Sequence, residues 1–287
     1  MRRRVDVSGS GRDGPPPAPD PLPIAVVDNP THLDLSRDGS DAPDIQAVIQ
    51  AATAVGVPRM VQIGCDLPGA RFTLEVIDRY AALLGGVALH PNEAPRLADR
   101  GELDSARSEI ELFASHPRVR AIGETGLDYF RTGTEGVLAQ QDSFRWHIDL
   151  AKRTGKTLQI HDRDAHEDVL RILAEEGAPR HTVLHCFSGD IAMARECVQR
   201  GYFLSFAGTV TFKNATGLRN ALAVTPTENL LVETDAPYLT PAPHRGATNA
   251  PYLVPLTVRA MAAVLSTDVP SLCIALAANS ELLYGPW

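Results

Sequence analysis

Short runs of apolar residues alternate with longer amphipathic stretches along nearly the whole chain. Residues 24–27, 58–64, 86–89, 119–122, 157–160, 182–184, 202–206 and 229–232 are mostly apolar at consecutive positions. That is the pattern of strands buried on both faces of a parallel sheet. Between and after them, residues 43–55, 69–83, 102–115, 137–153, 165–176, 191–200, 218–223, 251–265 and 272–283 carry helical spacing. Eight β-α alternations in roughly 260 residues predict an α/β fold of the (β/α)8 TIM-barrel type rather than an open doubly wound sheet. The first strand-helix turn has no GxGxxG, and no GxxxxGK[ST] occurs anywhere, so neither phosphate-loop fold is expected.

Composition narrows this picture at the N-terminus. Residues 1–23 are rich in Gly, Pro, Ser and Asp, including Pro15-Pro16-Pro17, and predict a disordered leader ahead of one barrel domain over 24–287. Met1-Arg2-Arg3-Arg4 is basic, but no apolar run follows as a signal peptide requires, and no stretch is long enough to span a bilayer. The expectation is a cytoplasmic protein with no membrane association and no protein partner. Cys65, Cys186, Cys197 and Cys273 are spread out with no CxxC pair, which predicts small core-filling residues rather than disulfides or a thiolate zinc site. A net charge of -8 excludes a general nucleic-acid coating protein. It does not exclude a nuclease, because bound cations reverse the local field.

The chemistry lies at the trailing ends of the runs. His32, Glu124, His161, His185 and Asp235 follow the first, fourth, fifth, sixth and eighth of them. In a barrel all strands point the same way, so these residues converge on one mouth. Singly, each has a bland reading, a hydrogen-bonded structural His or a helix-capping acid. Five on one rim read as ligands for one or two divalent metal ions. Imidazole and carboxylate suit zinc, magnesium or manganese, which activate water for hydrolysis.

The motifs match a family. Asp28-Asn-Pro-Thr-His-Leu-Asp34, Gly123-Glu-Thr-Gly-Leu-Asp-Tyr129, Ile160-His-Asp-Arg163, His185-Cys-Phe-Ser-Gly189 and Glu233-Thr-Asp-Ala-Pro-Tyr-Leu239 resemble the TatD-related metal-dependent deoxyribonucleases. Pro241-Ala-Pro-His-Arg-Gly246 and Asn249 extend a resemblance that runs in order from about residue 24 to 287. It implies an amidohydrolase-type TIM barrel, a divalent metal centre and phosphodiester hydrolysis, often of DNA from a 3′ end. Carried over by position, the resemblance implies that Glu124 would bridge two metals, that His161 and His185 would complete one site, and that His32 and Asp235 would serve the other. Asp235 is also placed to take a proton from the attacking water. The family's first motif is H-x-H, and its first His aligns with Pro30, which has no donor atom. Asn29 and Thr31 are expected on the opposite face, leaving Asp28 or a water to compensate.

Around the centre, His90 and Arg163 are candidate phosphate contacts, with a structural His and a surface salt bridge as their plain alternatives. Asp128 and Tyr129 are expected to shape the loop beside Glu124. Lys213 and Arg245 are the best cationic candidates for an anionic substrate. Aromatic residues at 6% with no basic interleaving predict shallow, backbone-directed contact with nucleic acid, the expected partner and substrate. Two other readings stand beside the nuclease: a hydrolase of a small amide, ester or phosphoester on the same barrel, and a metal-poor pseudoenzyme whose only sequence support is Pro30.

Overall fold

Each apolar run becomes a strand because its side chains are buried on both sides, against the barrel interior and against the surrounding helices. In the computed structural model, described here for residues 14–36 and 43–287, the strands are β1 (Val27–Thr31), β2 (Arg59–Gly64), β3 (Leu83–Val87), β4 (Val119–Asp128), β5 (Thr157–Arg163), β6 (Thr182–Leu184), β7 (Phe203–Phe206) and β8 (Leu230–Val232). They pair in chain order, every ladder parallel. The helices are α1 (Ile45–Ala54), α2 (Leu67–Arg79), α3 (Glu93–Asp99), α4 (Leu103–Ala114), α5 (Val137–Thr154), α6 (His166–Glu176), α7 (Ile191–Gln199), α8 (Thr216–Ala223), α9 (Val254–Leu265) and α10 (Val269–Tyr284). The (β/α)8 barrel is therefore as expected.

Local signals set the helix ends. Asp44, Asp66, Asp190 and Asp268 accept backbone N–H bonds at the starts of α1, α2, α7 and α10, satisfying donors that have no partner within the helix. Gly155, at φ 66°, ends α5 in the left-handed region that favours glycine.

Three boundaries differ from the sequence expectation. The first strand covers Val27–Thr31 rather than 24–27, carrying Pro30 inside it. α2 stops at Arg79, and Leu83 begins β3 instead of closing that helix, because Leu83 and Leu84 are fully buried and pair with Met60 and Val61. β4 and β5 run on through Glu124 and His161, so these residues lie within strands rather than after them.

Two apolar shells form the core. One lies between strands and helices; the other fills the barrel with Val27, Val61, Ile63, Leu84, Ala121, Val183, Phe203 and Leu231. Leu283 and Tyr284 of α10 close the floor of this inner shell. At the seam between β1 and β8, Thr234 donates its N–H and its hydroxyl to the two oxygens of Asp28, each 2.6 Å away. The His32 N–H reaches the Ala236 carbonyl at 2.9 Å, and the Asp235 N–H reaches that of Pro30 at 3.2 Å.

Residues 14–23, within the expected leader, are laid against the barrel. Leu22 is buried and its N–H donates to Val55 O, while Tyr252 and Arg259 donate to the carbonyls of Pro16, Asp20 and Pro21. A few backbone acceptors and one buried leucine suffice to pin a segment whose composition lacks a core of its own. The rest of that leader, residues 1–13, lies outside the described residues. No single helix among the described residues is long and apolar enough to cross a membrane.

Candidate metal centre

Side chains at alternate strand positions enter the barrel, and the donors continue these interior rows toward the C-terminal mouth. On β2, Val61 and Ile63 of the inner core lead to Cys65; on β6, Val183 leads to His185; on β8, Leu231 leads to Glu233 and Asp235. Glu124 and His32 break this parity, standing three residues after Ala121 and five after Val27. The ladder register shifts at both places, between Ile122 and Thr125 and between Asp28 and Thr31. Each shift re-aims the next side chain, as bulges beside active sites do. Gly123 allows the strand to pass: a Cβ there would stand 2.5 Å from Gln159 Cβ and 2.8 Å from its carbonyl oxygen.

Glu124 is the hub. Its Oε1 accepts from His161 Nδ1 at 2.7 Å and His185 Nε2 at 2.6 Å, with His90 Nε2 at 3.8 Å. Its Oε2 faces His32 Nε2 at 3.5 Å and the Cys65 thiol at 3.4 Å. Asp235 Oδ1 lies 3.3 Å from the same His32 Nε2. Burial alone would raise the Glu124 carboxyl, but His185 and the bonds from His161 and His185 hold it well below the usual carboxylate range.

Outer partners orient the rings. His32 Nδ1 sits 3.1 Å from Ile63 O, which fixes the ring with Nε2 turned toward Glu124 and Asp235. Fully buried Glu233 lies 3.4 Å from His185 Nδ1, the nitrogen turned away from Glu124. Burial holds the Glu233 carboxyl above its ordinary range despite the neighbouring His185. Asp128, 3.4 Å from His161 Nε2, is itself fixed by Asn92 Nδ2 and the Arg131 N–H. His90 behaves differently. Its Nδ1 accepts the Asn92 N–H at 3.1 Å, and burial lowers its pKa to about 3. The ring is thus neutral with its proton on Nε2, making it a hydrogen-bond donor into the mouth rather than a metal ligand.

A cavity of about 540 Å³ opens over these groups, lined by His32, His90, Glu124, His161, His185 and Asp235 among others. All five expected ligands are therefore brought together. Arg163 also lines the cavity, stacked 3.9 Å over the Phe130 ring. Lys213 and Arg245 do not line the cavity. Both are exposed, Arg245 lying over the ring of Phe212 beside Lys213, where the loops after β7 and β8 meet. Asp28 cannot supply the donor missing at Pro30, since Thr234 takes both its oxygens, and Asn29 is turned to Val27 O and Ser280.

Sequence reasoning missed three contributors. Arg131 lines the cavity from the loop after β4, and Glu233 was passed over beside Asp235. Cys65 was assigned to core filling, yet it lines the mouth, and burial pushes its thiol up to about 12. The row Val61-x-Ile63-x-Cys65 carried the signal, the same that marks Val183-x-His185.

The donor set fits a divalent cation. His32–Cys65–Glu124 gathers three donor atoms within 4.8 Å of one another, as does His90–Glu124–His161; because His90 keeps its Nε2 proton, His185, 2.6 Å from Glu124, is the third ligand group of the second cluster. Buried carboxylates and imidazoles packed this closely suit positive charge at their centre.

Comparison with known proteins agrees. The family described as TatD related DNase matches residues 27–285. The chain is 46% identical over 264 residues to an uncharacterized metal-dependent hydrolase, TatD, of Mycobacterium tuberculosis, covering 91% of this chain and 98% of that one. It is 40% identical over 225 residues to the uncharacterized metal-dependent hydrolase YabD of Bacillus subtilis, covering 78% and 86%. Among solved structures, the TatD homologue YJJV of Escherichia coli K12 matches with a TM-score of 0.83 at 26% identity, over 91% of this chain and 98% of that one. An organophosphorus hydrolase from Deinococcus radiodurans shares the fold at a TM-score of 0.63 and 16% identity, over 92% and 93%.

Proposed function

The chain belongs to the TatD related DNase family of metal-dependent hydrolases, and on that premise we propose that it hydrolyses phosphodiester bonds at the ends of DNA strands. The observation that carries this reading is one carboxylate, Glu124, shared by two donor sets on the floor of a cavity that also presents Arg163, Arg131 and the neutral His90. A two-sided donor arrangement of this kind suits in-line displacement at phosphorus.

His161, His185 and Glu124 would hold one cation, and His32, Glu124 and Asp235 the other. A bound divalent cation supplies Lewis acidity toward the phosphoryl oxygens and lowers the pKa of water. The chain's own groups do the rest. Asp235, facing the cavity beside His32, accepts the proton of the attacking water as its oxygen bonds to phosphorus and the bond to the leaving sugar oxygen breaks. His90 Nε2 and the Arg163 guanidinium donate to the non-bridging oxygens, where charge grows in the transition state. A cavity of about 540 Å³ admits a strand end rather than a duplex wall.

Purified protein supplied with magnesium, manganese or zinc should shorten end-labelled single-stranded DNA, and Asp235→Asn should abolish this. Hydrolysis of small esters or phosphoesters with no action on DNA would overturn the proposal. That outcome would favour a second reading, a small-molecule hydrolase, which draws support from the exclusion of Lys213 and Arg245 from the cavity.

A further inference from the structure

The half of the centre built on His32 is short of donors along its own strand. Asp28 and Asn29 are committed elsewhere, Pro30 has no donor atom, and Thr31 does not line the cavity. The neighbouring strand fills the gap. Cys65 Sγ, two residues beyond Ile63 in the interior row of β2, lies 3.4 Å from Glu124 Oε2, and one ligand atom each of His32, Cys65 and Glu124 stand within 4.8 Å of one another. His32 and Glu124 are themselves buried, at 5% and 4% exposure, so three donor atoms meet where water is largely excluded.

We propose that Cys65 is a metal ligand in this chain, supplying with His32 and Glu124 a sulfur-containing site that favours zinc over magnesium. The inference deepens the metal-centre reading and rests on His32 and Glu124 binding a cation. On binding, the sulfur-metal bond forms as the S–H bond breaks, and the proton leaves to solvent, so loading releases acid. Thiolate is a soft donor that selects zinc or cobalt; carboxylate and water donors suit magnesium and manganese. A site without Cys65 would lose that selectivity. The other cavity cysteine, Cys186, belongs to neither cluster of three donors.

The test uses the full chain, stripped of metal and titrated with cobalt(II). Wild type should develop a near-ultraviolet sulfur-to-cobalt charge-transfer band that Cys65→Ser lacks. Zinc affinity of the variant at the His32 half should fall by at least the ~10–100-fold that loss of an outer partner costs. Circular dichroism and thermal melting of the metal-free variant establish that it folds. Independently, zinc should protect Cys65 of the wild type from alkylation, read by peptide mass. If cobalt binds without a sulfur band, and Cys65 alkylates equally with and without zinc, the sulfur is only a hydrogen-bonded thiol and the proposal is overturned. If neither cobalt nor zinc binds wild type at all, the metal-centre reading itself falls with it.

Discussion

Replacing Glu233 by Gln should push metal binding and metal-free stability in different directions. Glu233 is fully buried, 3.4 Å from His185 Nδ1. With a cation in place of the Nε2 proton that now meets Glu124, the Glu233 carboxylate would accept from His185 Nδ1–H and raise the basicity of Nε2. Glutamine keeps the shape but removes the charge, which should weaken metal binding about 10–100-fold, or about 1.4–2.7 kcal/mol. Stability of the metal-free chain follows the opposite logic. Burial raises the folded-state pKa of Glu233, so its contribution is fully present below the ordinary carboxyl pKa and is lost as pH rises through the folded value. At neutral pH the metal-free Glu233→Gln protein should therefore be at least as stable as wild type. Chelator competition measures the first effect, and urea unfolding of stripped protein across pH measures the second. Unchanged zinc affinity, or a lower urea midpoint for the metal-free variant, would refute the reasoning.

Other predictions concern substrate contact, folding and the rim. His90→Ala should raise KM roughly 2–10-fold, the worth of a neutral hydrogen bond; between pH 5 and 8 the kcat/KM profile should keep its shape, because burial holds the His90 pKa down to about 3. Arg163→Ala should weaken single-stranded DNA binding and lower the slope of log K against log salt by about 0.7, checked by anisotropy titrations. Gly123→Ala should cost about 1–3 kcal/mol in urea unfolding, because the added methyl meets Gln159 at 2.5 Å. In a Cys65→Ser background, Pro30→His should recover zinc binding without the sulfur-to-cobalt band, as judged by metal content and absorption.

The sequence by itself determined the barrel and most of its rim. Consecutive apolar residues in 182–184 or 229–232 have no polar face to give to solvent, so they had to lie between the barrel interior and the helices. The residues that followed, His185 and Asp235, had to emerge at a shared mouth. What it could not determine were positions where the backbone leaves its period. Counting by twos from Val27 or Ala121 does not reach His32 or Glu124; the register shifts in β1 and β4, set by pairing with strands on either side, bring them inward. Nor could spacing show that Lys213 and Arg245 stand outside the cavity while Arg131 stands within it, since loops are placed by what they pack on. The reading of Cys65 turned on the same distinction. As one thiol among four scattered cysteines it had no partner in the sequence. It acquired two, His32 and Glu124, because parallel closure sets β2 beside β1 and within reach of β4, bringing residues 33 and 59 positions away in the chain to within 3.7 Å of one sulfur.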